Sequence, residues 1–337
     1  MDRGSDSDDT RRVKAGRVGE GIDLRFDERV VIVTGAGRNL GREYARALAA
    51  RGAAVVVNDL GVGLSDTDGR ADAPTTNPAD DVVSDIVANG GRAIANYDTV
   101  STASGGRSIV ECALDTYGRL DVVINNAGQV RMSAFGDFPD ESVDALVDTQ
   151  LKGVLNVSRP AWRHMETNGG GRFVNVSSGA AFGGVPGGVV YAMAKMGTIG
   201  LTFGMASEGR AHGIMANVIV PYAKTRPGTG FGPIPWSDEL GAWLDPALVA
   251  PLVVYLAHQS CSLTGEVLSV GAGWQAGVHL SMATGYRNRD ASAEDIAANV
   301  EQMLRGGERS LDPFRSPAMK NLLDGFEIPG ERRAREE

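Results

Sequence analysis

Three side chains within one short stretch have the types and spacing to move a proton: Ser178, Tyr191 and Lys195, in the run Ser-Gly-Ala-Ala-Phe-Gly-Gly-Val-Pro-Gly-Gly-Val-Val-Tyr-Ala-Met-Ala-Lys. Tyr191 and Lys195 are four residues apart among good helix formers, so a helix there carries them on one face, one turn apart. An ammonium beside a phenol lowers the phenol's pKa from its usual value of about 10 and makes phenolate usable as a general base for an alcohol proton. Ser178 ends the strand-like run Arg172-Phe-Val-Asn-Val-Ser-Ser, where its hydroxyl would hold a substrate oxygen beside the tyrosine. A tyrosine packed in a core and a lysine in water would share the same spacing, so the decision falls to the surrounding elements.

Those elements read as alternating strands and helices. Arg29-Val-Val-Ile-Val-Thr-Gly-Ala-Gly-Arg-Asn-Leu-Gly opens with a buried strand, turns through glycines and enters a helix. Gly35, Gly37 and Gly41 let the backbone approach a pyrophosphate, and the helix N-terminus adds N–H donors and the positive end of its dipole. The spacing is Gly-x-Gly-x-x-x-Gly, one residue longer than the usual dinucleotide fingerprint. A second strand, Gly52-Ala-Ala-Val-Val-Val-Asn-Asp, ends at Asp59, 24 residues after Gly35. A carboxylate there accepts both adenosine ribose hydroxyls and repels a 2′-phosphate, which favours NAD over NADP. Arg38 argues the other way, since an arginine in the turn could reach that phosphate. Asp98 ends the strand Arg92-Ala-Ile-Ala-Asn-Tyr-Asp, either to bond an adenine or to cap the next segment. Leu120-Asp-Val-Val-Ile runs into Asn125-Asn126-Ala127-Gly128, where amides and a glycine suit a close backbone approach to a cofactor.

Helices are expected near 80–89 and 104–117, from Asp140 towards Trp162, from Tyr191, and near 246–258. Asn217-Val-Ile-Val-Pro-Tyr forms a sixth strand, and Glu266-Val-Leu-Ser-Val-Gly-Ala-Gly-Trp a single last one. This order specifies an α/β fold, a single Rossmann-type doubly wound parallel sheet with helices on both faces and ligands at the C-terminal ends of the strands, followed by a short helical C-terminal extension. The expected divisions are a flexible tail over 1–23, the main domain over 24–279 and the extension over 280–337. Ser292-Ala-Glu-Asp resembles a capping box for a helix to Leu304, and Ser316-Pro opens another that Gly325 closes. Residues 61–79 read as a surface loop, and 226–244 as a lid whose Phe231, Trp236 and Trp243 would meet an apolar substrate or one another.

Composition narrows the function classes. A net charge of −9 argues against sequence-independent nucleic-acid binding. Cys112 and Cys261, with His164, His212, His258 and His279, have neither disulfide nor zinc spacing, so no metal is assigned. Unbroken apolar runs are of strand length and the N-terminus is polar, which predicts no membrane span, no export and a cytoplasmic protein. The Gly-, Ala- and Met-rich helix at Tyr191 suits a homodimer or homotetramer face, with internal packing as the alternative.

The pattern Thr34-Gly35-x-x-x-Asn39-x-Gly41, Asn125-Asn126-Ala127-Gly128, Ser178 and Tyr191-x-x-x-Lys195 resembles the short-chain dehydrogenase/reductase family over residues 26–275. Val57-Asn-Asp-Leu-Gly, Ala95-Asn-Tyr-Asp-Thr-Val, His258-Gln-Ser-Cys and Val270-Gly-Ala-Gly-Trp are similar to its (3R)-hydroxyacyl-CoA dehydrogenase branch, the modules of the peroxisomal multifunctional enzyme type 2, or 17β-hydroxysteroid dehydrogenase type 4-like, group and their bacterial relatives. The resemblance implies oxidation of a secondary alcohol, with Tyr191 as base, Ser178 orienting the hydroxyl and Lys195 also holding the nicotinamide ribose. It implies a cofactor set of Gly35, Gly37, Arg38, Asn39, Leu40, Gly41, Asp59, Leu60, Asp98, Thr99, Asn126, Ala127, Gly128, Tyr191, Lys195, Pro221 and Thr225. The chain departs from the family at three places. Asn39 replaces a glycine, Gln150 stands where the family has a catalytic asparagine, and Pro221-Tyr222 replaces Pro-Gly. The expected reaction is NAD-dependent conversion of a (3R)-hydroxyacyl-CoA to a 3-oxoacyl-CoA, the substrate being an acyl-CoA or bulky apolar alcohol. The alternatives are a steroid or terpenoid alcohol dehydrogenase, a 3-oxoacyl reductase, or a nucleotide-binding regulator without turnover.

Overall fold

The computed structural model describes residues 23–61, 77–224, 244–283, 285–305 and 308–309. The N-terminal tail, most of the 61–79 loop, Thr225, the aromatic residues Phe231, Trp236 and Trp243, and the helix expected at Ser316 lie outside them. An eight-stranded sheet runs in the order β3-β2-β1-β4-β5-β6-β7-β8. Its strands are β1 (Val30–Thr34), β2 (Ala54–Asn58), β3 (Arg92–Asn96), β4 (Val122–Asn125), β5 (Gly171–Val176), β6 (Ile214–Tyr222), β7 (Val267–Gly271) and β8 (Trp274–Gly277). All neighbours are parallel except β7 and β8.

The connecting helices are α1 (Asn39–Ala49), α2 (Pro78–Ala88), α3 (Ala103–Tyr117), α4 (Asp140–Val147), α5 (Gly153–Thr167), α6 (Ala180–Gly183), α7 (Val189–Gly209) and α8 (Ala250–Ala257). Alternate residues of β1 face opposite cores. Val31 and Val33 pack with Tyr44 and Leu48 of α1, and Val30 and Ile32 with Ile109 of α3 and Val157 of α5. A strand buried on both faces must be apolar throughout, which is why it is legible as a continuous run.

The C-terminal end of the sheet corrects the single last strand. The chain reverses at Ala272 (φ 51°) and Gly273 (φ 74°), and β8 returns antiparallel beside β7 in the register Gly271↔Trp274. Two consecutive positive φ values match the twist of a two-residue hairpin. Beyond it, Ser292 and Asp295 form a reciprocal capping box on α9 (Ala293–Ala298), and Asn299 separates that helix from α10 (Val300–Leu304).

One helix reaches membrane length by its length and composition alone. Val189–His212 has a mean hydropathy of 1.3 and is long and apolar enough to cross a bilayer, a feature that scanning for unbroken apolar runs passes over. Half of its window is buried inside the protein, where Ile199 of α7 packs with Val218 and Val220 of β6.

Candidate active site

The turn between β1 and α1 is held from the end of β4. Thr34 Oγ1 accepts the backbone N–H groups of Asn126 and Ala127, each at 3.0 Å. In return, Asn126 Nδ2 donates to the carbonyls of Thr34 (2.9 Å) and Gly35 (3.0 Å). Gly35 takes φ 62°, and a Cβ on Gly41 would lie 2.3 Å from the Gly35 carbonyl oxygen, so helix and turn touch backbone to backbone. Asn39 opens α1 at φ 47°, in the left-handed region that asparagine tolerates better than most residues. Arg38 stands at the N-cap without a side-chain capping bond, and no acidic residue sits in the first turn. The N–H groups of Asn39, Leu40 and Gly41 therefore have no side-chain acceptor among the described residues and suit an anionic ligand.

Asp59, just past the end of β2, accepts the N–H groups of Gly37 (2.9 Å) and Gly61 (3.0 Å), which aims the carboxylate at the turn. Leu60 beside it is exposed. Asp98 receives Ser108 Oγ at 2.6 Å and Asn96 Nδ2 at 2.9 Å, whereas the cap of α3 is Thr102, which accepts from Gly105 N–H; Asp98 is therefore not the helix cap. Thr99 Oγ1 accepts from Ser101 N–H. An uncapped helix N-terminus, glycines with no room for a Cβ and a carboxylate at the neighbouring strand end fit a dinucleotide.

The second half of the site is built on β5, α7 and the bend between α4 and α5. Ser178 lies past the end of β5. Its Oγ accepts the Ala180 N–H at 3.3 Å, and its side chain hydrogen-bonds Tyr191. Lys195 Nζ donates to the Val176 carbonyl at 2.9 Å and lies 5.7 Å from the centroid of the Tyr191 ring. Ser177 Oγ, bonded to the Lys195 carbonyl at 2.9 Å, ties the helix to the strand. Tyr191 and Lys195 are 8% and 5% exposed. Burial pushes the Tyr191 phenol up from its ordinary pKa while the Ser178 hydrogen bond opposes it, and burial pushes Lys195 down to about 8. The net shift of the phenol is therefore upward, where spacing alone led one to expect it downward. The ammonium is bonded to the Val176 carbonyl, and at the phenol the loss of water outweighs the Ser178 hydrogen bond.

Gln150 lies in a single π-helical turn, Asp148–Lys152, between α4 and α5. Its Nε2 donates to the Gln129 carbonyl. Its Oε1, in a residue only 2% exposed, has no partner among the described residues, and a Cβ on Gly128 would lie 2.6 Å from it. A buried polar chain reaches this turn from the sheet. Asn125 donates to Asn175, Asn175 to Thr202, and Thr202 to the Thr198 carbonyl; the single proton of Thr198 Oγ1 is shared between the Ala194 carbonyl at 3.1 Å and the Gln150 carbonyl at 3.3 Å. Wide turns of this kind recur at functional sites. Sequence reasoning missed Thr34 as the clamp of the turn, although Thr34 precedes Gly35 in the pattern, and it missed the chain through Asn175, Thr202 and Thr198. Pro221 pairs with Val270 on β7, beyond the last pairing of β6 with β5 at Ile219, where its missing N–H leaves no ladder bond unmade.

Cradle and tyrosine–lysine pair lie together in residues 29–227, the span that matches the family described as short chain dehydrogenase. The chain belongs to this family; it is an oxidoreductase that binds NAD(P) and acts on a small molecule. It is similar to the peroxisomal multifunctional enzyme type 2 of Mus musculus, with 41% identity over 284 residues, 83% of this chain and 37% of that one. Among solved structures, the full-length peroxisomal multifunctional enzyme type 2 of Drosophila melanogaster matches with a TM-score of 0.73 and 31% identity, covering 89% of this chain and 50% of that one. A short chain dehydrogenase from Mycobacterium avium matches with a TM-score of 0.71 and 34% identity, covering 84% and 96%. The chain thus spans half or less of the length of the two multifunctional enzymes.

Proposed function

We propose that the chain interconverts (3R)-hydroxyacyl-CoA and 3-oxoacyl-CoA with NAD as the preferred cofactor. The observation that carries this reading is the buried cluster of Ser178, Tyr191 and Lys195 at the strand ends, next to a dinucleotide cradle that presents Asp59. Two relatives named as peroxisomal multifunctional enzymes support the acyl substrate. NAD, when bound, supplies the hydride acceptor or donor. The turn at Gly35 and Gly37 and the N–H groups opening α1 would hold its phosphates. Asp59 would take the adenosine ribose hydroxyls and disfavour a 2′-phosphate, and Lys195 would hold the nicotinamide ribose.

The proton chemistry belongs to the protein. Ser178 donates to the substrate oxygen and keeps it beside the Tyr191 hydroxyl. In the reductive direction the phenol delivers its proton to that oxygen, and Lys195 stabilises the phenolate that remains. In the oxidative direction the phenolate takes the alcohol proton. Because burial raises the Tyr191 pKa, the protein alone favours the proton-donating role, which supports 3-oxoacyl reduction as the second reading. The α7 helix would contribute to a homodimer or homotetramer face.

Absorbance of the reduced nicotinamide, followed with NAD or NADP and each enantiomer of a 3-hydroxyacyl-CoA, tests this function. The expected result is turnover of the R enantiomer with a higher kcat/KM for NAD. Turnover of a steroid alcohol alone, or of neither thioester despite NAD binding, overturns the acyl-CoA assignment.

A further inference from the structure

The last residue of β6, Tyr222, lies beyond the final pairing of that strand with β5. Strand alternation sets where its side chain goes. Val218 and Val220 pack with Ile199 of α7, whereas Ile219 belongs to the opposite core with α8, so Tyr222 projects to the α7 side, where Tyr191 and Lys195 lie. There its phenol crosses Gly179, the residue after Ser178: a Cβ on Gly179 would lie 3.0 Å from the Tyr222 hydroxyl oxygen and 3.6 Å from Cζ. The backbone of Tyr222 is fixed from the other side. Its register partner Gly271 approaches so closely that a Cβ there would meet the Tyr222 carbonyl oxygen at 2.1 Å. Unlike Tyr191, Tyr222 is 49% exposed. Two phenols with different surroundings therefore flank the Ser178–Gly179 segment, Tyr191 buried with Lys195 and hydrogen-bonded to Ser178, and Tyr222 half-exposed over Gly179.

We propose that Tyr222 determines specificity by donating a hydrogen bond to the second oxygen of a β-oxygenated substrate. For a 3-hydroxyacyl or 3-oxoacyl thioester that oxygen is the thioester carbonyl, and the assignment rests on the acyl reading above. With the reacting oxygen held by Ser178 and Tyr191, the hydroxyl next to Gly179 is the neighbouring donor for an acceptor on the same substrate. A secondary alcohol without the carbonyl leaves this half-exposed hydroxyl to water, so the discrimination is attractive and modest.

The test compares wild type with Tyr222→Phe at saturating NAD, on a 3-hydroxyacyl-CoA and on a secondary alcohol of equal chain length lacking the carbonyl. The expected result is a rise of about tenfold in KM for the thioester, the size of one lost hydrogen bond, with kcat within about twofold and KM for the plain alcohol unchanged. Tyr222→Gly, which also removes the ring, raises KM for both. Equal KM values for Tyr222→Phe and wild type on the thioester, or an equal rise on both substrates, overturn the Tyr222 assignment and leave the hydroxyacyl reading standing. A wild-type protein inert towards thioesters overturns the hydroxyacyl reading and the Tyr222 assignment with it.

Discussion

At the end of β4 the side chain of Asn126 bonds two carbonyls of the turn it faces, and Asp59 is bonded to two backbone N–H groups. At the end of β5, by contrast, an ammonium is buried with one carbonyl partner among the described residues, and the Oε1 of a buried glutamine has none there. In the first region the side chains are committed to holding the turn, and in the second buried polar groups lack a full set of partners among the described residues. Binding a dinucleotide needs a preformed backbone surface, whereas moving a proton needs groups whose charge states lie close in energy. The protein is stabilised at the cradle and destabilised at the pair that would react.

Replacing Lys195 with Met sharpens this contrast most. Turnover should fall by at least about a hundredfold, while thermal stability at pH 7 stays equal or rises, because the buried charge is removed. The pH dependence follows from the lowered pKa. Lys195 carries its proton below about 8 and loses it above, so ketone reduction should be level at lower pH and fall as pH passes 8, and the variant should lose that inflection. In the unfolded chain the lysine titrates near 10.5. Between these values the unfolded state binds more protons, so the penalty for burying Lys195 is present in full at neutral pH and shrinks as pH rises from about 8 to 10.5. A denaturation series over that range, run on both proteins, checks the sign.

Asn126→Ala attacks the cradle. Losing two hydrogen bonds that hold the turn should cost about 2 kcal/mol and raise KM for the cofactor several-fold, with little change in kcat. Urea titration and steady-state kinetics measure the two effects. If kcat fell as far as in the lysine variant, the division between the regions would be wrong. The smallest effect is expected far from both: Ala272→Gly relieves a left-handed alanine and should stabilise by about 1 kcal/mol, leaving activity unchanged.

The strands were legible because each inner strand, such as Val30–Thr34, is buried on both faces and must be apolar along its whole length. The cradle was legible because Gly35 and Gly41 answer a steric demand that other residues cannot meet. What stayed hidden depends on tertiary surroundings. The hairpin at Ala272 uses an alanine at the first turn position, where the twist calls for glycine or asparagine, so only Gly273 of the two turn residues signals it. The chain from Asn125 through Asn175, Thr202 and Thr198 to Gln150 joins residues distant in sequence that carry no motif. The i, i+4 spacing placed Lys195 near Tyr191 correctly, but the sign of the phenol's shift depends on burial, which spacing does not contain.

Tyr191→Phe bears most directly on the division between a cradle that binds and a cluster that reacts. NAD affinity and turnover would be measured on the same preparation of this variant and of wild type. The account predicts an affinity within about twofold of wild type and turnover lower by roughly a thousandfold. Turnover retained with affinity unchanged would show that the buried phenol does not carry the proton and would contradict the account.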